Sequence, residues 1–260
     1  MNRYKAMLID LDGTMYRGTE AVEGAKEFIE YLRASHIPFL FVTNNSSKTP
    51  AQVAGKLRDL NISAHDSEIF TSSMATAKHI RDEHPGARVY AIGETGLYEA
   101  LSNEGLTLTE DAPDIVVTGI DRQMTYDKFA KACVMIRKGA MFLSTNGDTS
   151  IPTDQGMLPG NGAFNAVISV STGVTPQIIG KPESMIIDQA LDVLNCPKDD
   201  VLLVGDNYHT DILAGINAGI DTLMVLTGVT QFNHLSDGRV QPTYVMNNLS
   251  EWVNTFPPKG

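Results

Sequence analysis

The sequence predicts an α/β protein: a Rossmann-like doubly wound parallel sheet with a smaller α/β domain inserted into it. Three observations carry this expectation. Strand-length apolar runs alternate with helix-length amphipathic runs along the 260-residue chain. Several apolar runs end in Asp, Thr, Asn or Lys, as buried parallel strands do where their carboxyl ends open into a site. Two stretches of small polar residues, Thr71–Ala75 and Ser171–Pro176, read as hinges. They divide the chain into an outer domain, 1–75 plus 176–260, and an insert, 76–175, long enough for a modest core of its own.

The elements follow in order. Met7, Leu8 and Ile9 form a short apolar strand that runs into Asp10, Leu11, Asp12, Gly13 and Thr14. Two carboxylates at i and i+2 beside a buried strand are costly unless something binds them. Val22–Ala34 reads as a helix with Phe28, Ile29 and Leu32 on one face. Pro38–Val42 is a second strand, ending in Thr43, Asn44, Asn45 and Ser46. Thr49 followed by Pro50 starts a helix that runs to about Leu60. In the insert, strands at Arg88–Ile92, Asp114–Val117 and Met141–Ser144 alternate with helices at Thr95–Leu101 and Thr125–Lys138. Pro159–Gly162 is Gly-rich but lacks the Lys-Ser/Thr ending of a nucleotide loop, so it reads as a turn before a helix at Ala163. The outer domain resumes with a helix at Pro182–Leu194 and a strand at Val201–Val204 that ends in Gly205, Asp206 and Asn207. A helix at Asp211–Ala218 and a strand at Thr222–Leu226 follow.

Composition narrows the partners. Hydrophobic content of 42% and charged content of 20% describe an ordinary globular chain. A net charge of -11 disfavours nucleic acid and anionic membranes, but not a small phosphorylated metabolite whose site carries its own cation. No segment approaches the ~18 consecutive apolar residues of a membrane span. The chain enters its first strand without a signal-peptide core, and its two cysteines, Cys133 and Cys196, lack metal-ligand spacing. A reducing cytoplasm is the expected compartment. An exposed face of the insert would serve a homodimer.

In a parallel sheet the polar strand ends lie along one edge. Asp10 and Asp12 follow the first strand, Thr43 and Asn44 the second, Lys181 the apolar pair Ile178 and Ile179, and Asp206 the strand at Val201–Val204, with Asp211 five residues on. Three carboxylates side by side need a counter-charge. All-oxygen ligation favours Mg²⁺ over Zn²⁺. Asp10 and Asp206 are the expected side-chain ligands, and Asp12 could add its main-chain carbonyl. Asp211 either supports the metal site from behind or charges a helix start. Lys181 neutralises either a nucleophile or an anionic ligand. Thr43, Asn44, Asn45 and the following N–H groups can hold phosphate oxygens, although the same residues also suit a helix cap or an Asx-turn.

Taken as an ordered set, Asp10-Leu11-Asp12-Gly13-Thr14, Thr43-Asn44, Lys181-Pro182 and Gly205-Asp206-Asn207 with Asp211 resemble the four motifs of the haloacid dehalogenase superfamily. The finer pattern, with Met15 and Tyr16 after the first motif and a long insert after the second, is similar to the branch of NagD-type and p-nitrophenyl phosphatases. That resemblance implies an α/β cap and a two-step phosphoryl transfer. Asp10 would be the nucleophile, Asp12 the acid and base, and Lys181 a stabiliser of the transferring group. It also implies that insert loops meet the substrate. The candidates there are Thr145, Asn146 and Asp148, with Asp121 behind them, against an alternative as ordinary polar turns. Rival functions are a phosphotransferase or phosphomutase of the same superfamily, a phosphorylated signalling receiver, and a non-catalytic phospho-ligand binder. Receivers are about half this length and place the acceptor Asp on a middle strand, which counts against that rival.

Overall fold

The computed structural model describes residues 4–153, 155–235 and 240–255. The strands and helices in chain order begin with β1 (Ala6–Ile9), the small hairpin β2 (Tyr16–Arg17) and β3 (Glu20–Ala21), α1 (Ala25–Ala34), β4 (Phe39–Thr43) and α2 (Pro50–Asp59). β5 (Ile69–Thr71), α3 (Ser72–Glu83), β6 (Arg88–Ile92), α4 (Thr95–Asn103), β7 (Thr107–Leu108), β8 (Ile115–Thr118) and α5 (Tyr126–Arg137) follow. Next come β9 (Met141–Ser144), the hairpin β10 (Ser150–Thr153) and β11 (Gly156–Pro159), α6 (Asn161–Thr172) and β12 (Gln177–Ile178). The chain continues through α7 (Ser184–Leu194), β13 (Val201–Gly205), α8 (Leu213–Ala218), β14 (Asp221–Val225), β15 (Tyr244–Met246) and α9 (Leu249–Thr255). Among the described residues, no helix is long and apolar enough to cross a membrane.

Two compact units result: Met1–Thr43, Ala51–Phe70 and Lys181–Gly260 form one, and Asn44–Pro50 with Thr71–Gly180 the other. The first unit holds a six-stranded sheet in the order β15-β14-β13-β1-β4-β5. β1 lies between β13 and β4 and pairs parallel with both, Ile9 opposite Val204 on one side and Phe41 on the other. This register brings Asp10, Thr43 and Asp206 to the same edge of three neighbouring strands. All four β1 residues are fully buried. That explains its unbroken apolar composition, because a central parallel strand is covered on both faces. Phe28, Ile29 and Leu32 of α1 and Val53 and Leu57 of α2 pack into one core with β1, β4 and Trp252 of α9. The second unit is built on a five-stranded sheet in the order β12-β9-β8-β6-β7. Its pairs β6/β8, β8/β9 and β12/β9 are parallel.

Several expected boundaries move, each for a local reason. The expected hinge Thr71–Ala75 is the end of β5 and the first turn of α3. Thr71 Oγ1 accepts from the Met74 N–H at 3.2 Å as a helix cap. Its small residues are small because they are packed: Ser72 and Ser73 are fully buried, and their hydroxyls donate to the carbonyls of Asn44 and Ser46. Ser171 and Thr172 finish α6, and β12 then pairs with β9. The chain therefore passes between units at 70/71 and 180/181, where the sequence suggested 75/76 and 175/176, and also at 43/44 and 50/51, which the sequence did not suggest. The first helix begins three residues late because the Val22 N–H is still bonded to the Met15 carbonyl at 3.0 Å and Gly24, at φ +82°, stands outside helical geometry as its cap. Asp211 precedes α8, in a π-type turn spanning Tyr208–Ile212. The turn expected at Pro159–Gly162 is shorter: Pro159 ends β11 and Asn161 already opens α6.

Trp252 is fully buried, with its ring 6.5 Å from Phe28 and 6.1 Å from Tyr244, both edge-on. Trp252→Ala should cost about 3–5 kcal/mol of stability, read from urea unfolding at constant slope. A loss under about 1 kcal/mol would mean that α9 does not anchor this core.

Candidate active site

The site grows from the carboxyl edge of the six-stranded sheet. β1 delivers Asp10, which is 7% exposed, and β13 delivers Asp206, which is 1% exposed. The tight turn after Asp206 carries Asp211 back to the same place, and its Oδ2 accepts from the Asn207 N–H at 3.0 Å. Lys181 enters just before α7 and is 1% exposed. Its ammonium lies 2.5 Å from Asp10 Oδ1 and 2.8 Å from Asp211 Oδ1, and donates to the Val42 carbonyl at 2.9 Å. Thr14 Oγ1 sits 3.4 Å from both Asp10 Oδ2 and Asp206 Oδ1. Thr43 is the buried last residue of β4.

Asp206 is gripped from the loop after β14, where the Val229 N–H donates to its Oδ2 at 2.7 Å. Two glycines make this fit possible. A Cβ on Gly228 would stand 1.8 Å from Asp206 Oδ2. Gly13 adopts φ +89°, and a Cβ there would stand 2.4 Å from the same oxygen. The sequence marks Thr14 as part of the first motif but gives it no role, and the Gly228–Val229 loop goes unmarked. The signal for the loop was present in the chain: the apolar run ending at Val225 also reaches a polar strand end, Thr227-Gly228-Val229.

The electrostatics follow from burial. Loss of hydration, then Asp211 and Asp206, holds the Asp10 carboxyl well above the carboxylate range, against the pull of Lys181. Burial and Asp211 push Asp206 up to about 7, with the Val229 N–H opposing. Burial alone would lower the Lys181 pKa, but Asp10 and Asp211 outweigh it and keep the ammonium charged. Oxygens of Asp10, Asp206 and Asp211 lie within 4.8 Å of one another. Three carboxylates against one ammonium leave a net charge of -2 when all are ionised, which a divalent cation neutralises. An all-oxygen donor set of this kind fits a hard cation.

Asp12 points elsewhere. Its side chain is exposed, and its Oδ2 accepts from the Tyr16 hydroxyl at 3.2 Å. The carboxyl is raised by loss of hydration, with Lys56 and the Tyr16 hydrogen bond acting against the rise. The pattern leaves one carboxyl apart from the cluster, suited to proton exchange where its neighbours suit cation binding.

The remaining candidates fall in the second unit, where Asn44, Thr145, Asn146 and Asp148 bond to one another. Asn44 donates its amide to Asp148 Oδ1 at 3.1 Å, and its carbonyl accepts from Asn146 Nδ2 at 2.8 Å. Asn45 Oδ1 accepts from the N–H groups of Ser47 and Lys48, forming an Asx-turn. Thr145 and Asn146 are buried, in a network with Ser144, Asn161 and Asn165. Buried Asp121 forms an ion pair with the partly exposed Lys128 at 2.6 Å. Asn161, from the Gly-rich stretch, spends its amide on the carbonyls of Thr118 and Asn146.

Two family models match the chain. One described as haloacid dehalogenase-like hydrolase matches residues 7–107, and one described as HAD-hydrolase-like matches 178–252. The chain is 54% identical over 253 residues to the 5'-nucleotidase YutF of Bacillus subtilis, covering 97% of this chain and 99% of that one. It is 52% identical over 254 residues to an acid sugar phosphatase of Staphylococcus aureus, covering 97% and 98%. A solved structure of a putative p-nitrophenyl phosphatase from Bacillus subtilis superposes with a TM-score of 0.89 at 52% identity, covering 97% of this chain and 96% of that one.

A raised carboxyl makes stability fall with pH. Between about 4 and about 7 the unfolded chain ionises Asp206 while the folded chain still holds the proton, so folding is penalised progressively and the penalty levels off above about 7. Cation-free protein should therefore lose melting temperature across that window. Added Mg²⁺ should raise it more at pH 7.5 than at pH 5. A Mg²⁺ increment independent of pH would contradict this assignment.

Proposed function

Because the chain belongs to the haloacid dehalogenase-like hydrolases, we propose that it is a Mg²⁺-dependent phosphatase that hydrolyses small phosphomonoesters through an aspartyl-phosphate on Asp10. The observation that carries the reading is Asp10 itself: buried at the end of the central strand, ion-paired to Lys181, and clustered with Asp206 and Asp211. Sugar phosphates and nucleoside monophosphates are the proposed substrates, supported by the names of the two relatives.

In the first step an Asp10 carboxylate oxygen attacks phosphorus, the bond to the leaving oxygen breaks, and Asp12 gives that oxygen its proton. In the second step Asp12 takes a proton from water as the water attacks the same phosphorus, and the bond to Asp10 breaks. Mg²⁺, held by Asp10 and Asp206 with the main-chain carbonyl of Asp12, would supply positive charge beside the phosphoryl oxygens. Lys181 balances the charge of Asp10 without competing for phosphorus. Asp211, bonded to Lys181 and to the Asn207 N–H, orients the lysine. Thr43 stands at the adjacent strand end to bind phosphate oxygen. We propose Asn44, Asn45, Thr145, Asn146 and Asp148 as contributors to substrate binding, acting through a network that the Asn44–Asp148 bond organises. Two free cysteines support a reducing, cytoplasmic setting. Exposed Tyr126 and Val170 support self-association of the second unit, which light scattering would test.

Asp10→Asn should abolish phosphate release from a panel of sugar phosphates and nucleotides. Asp12→Ala should slow it by roughly 10²–10⁴-fold while Mg²⁺ still raises the melting temperature. Chelation should stop turnover and Mg²⁺ restore it. Full activity of Asp12→Ala, or transfer to an added sugar alcohol in place of free phosphate, would overturn the hydrolytic mechanism.

A further inference from the structure

Tyr16 takes no part in the steps above, yet it is 3% exposed and spends its hydroxyl on Asp12 Oδ2 at 3.2 Å. The contact is prepared by the backbone. The Gly13 N–H donates to the Tyr16 carbonyl at 2.8 Å, and Asp12 and Tyr16 form a β-bridge, so one tight turn presents phenol and carboxylate to each other. The ring is held from a separate element. Lys56 of α2 places its ammonium 3.6 Å from the ring centroid, within cation–π range. Asp12 itself is exposed, and the Tyr16 hydroxyl is the side-chain donor to its carboxylate among the described residues.

We propose that Tyr16 is a positioning residue for Asp12: its hydroxyl pins one carboxylate oxygen and leaves the other free to exchange a proton with the leaving group, while Lys56 holds the ring in place. The phenolic proton stays on Tyr16 throughout. The proton delivered to the leaving oxygen is the one carried by Asp12. The inference rests on the reading of Asp12 as general acid and base, and it extends the machinery to α2, which supplies no other catalytic group. A tyrosine that merely filled space would lose nothing on removal of one oxygen.

The test compares kcat/KM of wild type, Tyr16→Phe, Lys56→Met and Asp12→Asn on phenyl phosphate and p-nitrophenyl phosphate. Proton donation matters most for the poorer leaving group, phenol. Tyr16→Phe should lower kcat/KM by about tenfold on phenyl phosphate and by about twofold on p-nitrophenyl phosphate. Lys56→Met, at an exposed position that leaves the core intact, should show the same bias at smaller size. Equal losses on both substrates, or no loss in either variant while Asp12→Asn is impaired, would overturn the role of Tyr16 and leave the proposed mechanism standing. An unimpaired Asp12→Asn would remove the mechanism itself, and the role of Tyr16 with it.

Discussion

One ammonium among three carboxylates governs this molecule. Lys181 is almost wholly removed from water, and its charge is tolerable only because Asp10 and Asp211 stand within 2.8 Å. The three acids are tolerable together only with more positive charge than one lysine brings, or with a proton kept on one of them. Removing a single partner would strand a buried charge, so each member of the cluster constrains the others. The glycines at 13 and 228 belong to the same constraint. They let backbone approach Asp206 closely enough for the Val229 N–H to satisfy an oxygen that water cannot reach.

The sheet exists in the form this cluster needs. β1 is central, its residues are fully buried, and its two parallel neighbours end at the same edge. A parallel sheet points all its strand ends one way, so residues far apart in sequence converge without a long loop. Asp12 escapes the crowd by two residues. That offset leaves it exposed while Asp10 stays in the buried carboxylate cluster, and a division of labour between two nearby carboxylates becomes possible.

The second unit has a different economy. Asn44 follows Thr43 directly, yet its amide and carbonyl are bonded to Asp148 and Asn146, about a hundred positions downstream in sequence. The polar strand ends of this unit, which read in sequence as open loops, are largely turned inward. Thr118, Ser144, Asn161 and Asn165 bond to one another, as polar groups beneath a sheet end usually must, and leave only the Asn161 Oδ1 among them without a partner.

The sequence by itself determined the alternation of strands and helices, the central apolar strand and the acids at its end. It also determined the order of motifs that assigns the family. These signals are local: an apolar run, its length and the polar residue that closes it are read within ten positions. Tertiary structure alone decided the rest. The bond between Lys181 and Asp10 spans 171 positions, and that between Thr14 and Asp206 spans 192. Only the register of β1 against β13 and β4 selects such partners. For the same reason Thr71–Ala75, small and polar and thus hinge-like in sequence, became a buried helix start: composition records side-chain size, whereas burial depends on what the rest of the chain packs against it. Tyr16 shows the point most directly, since nothing in its local sequence says that a lysine forty residues away would lie over its ring and fix its hydroxyl on Asp12.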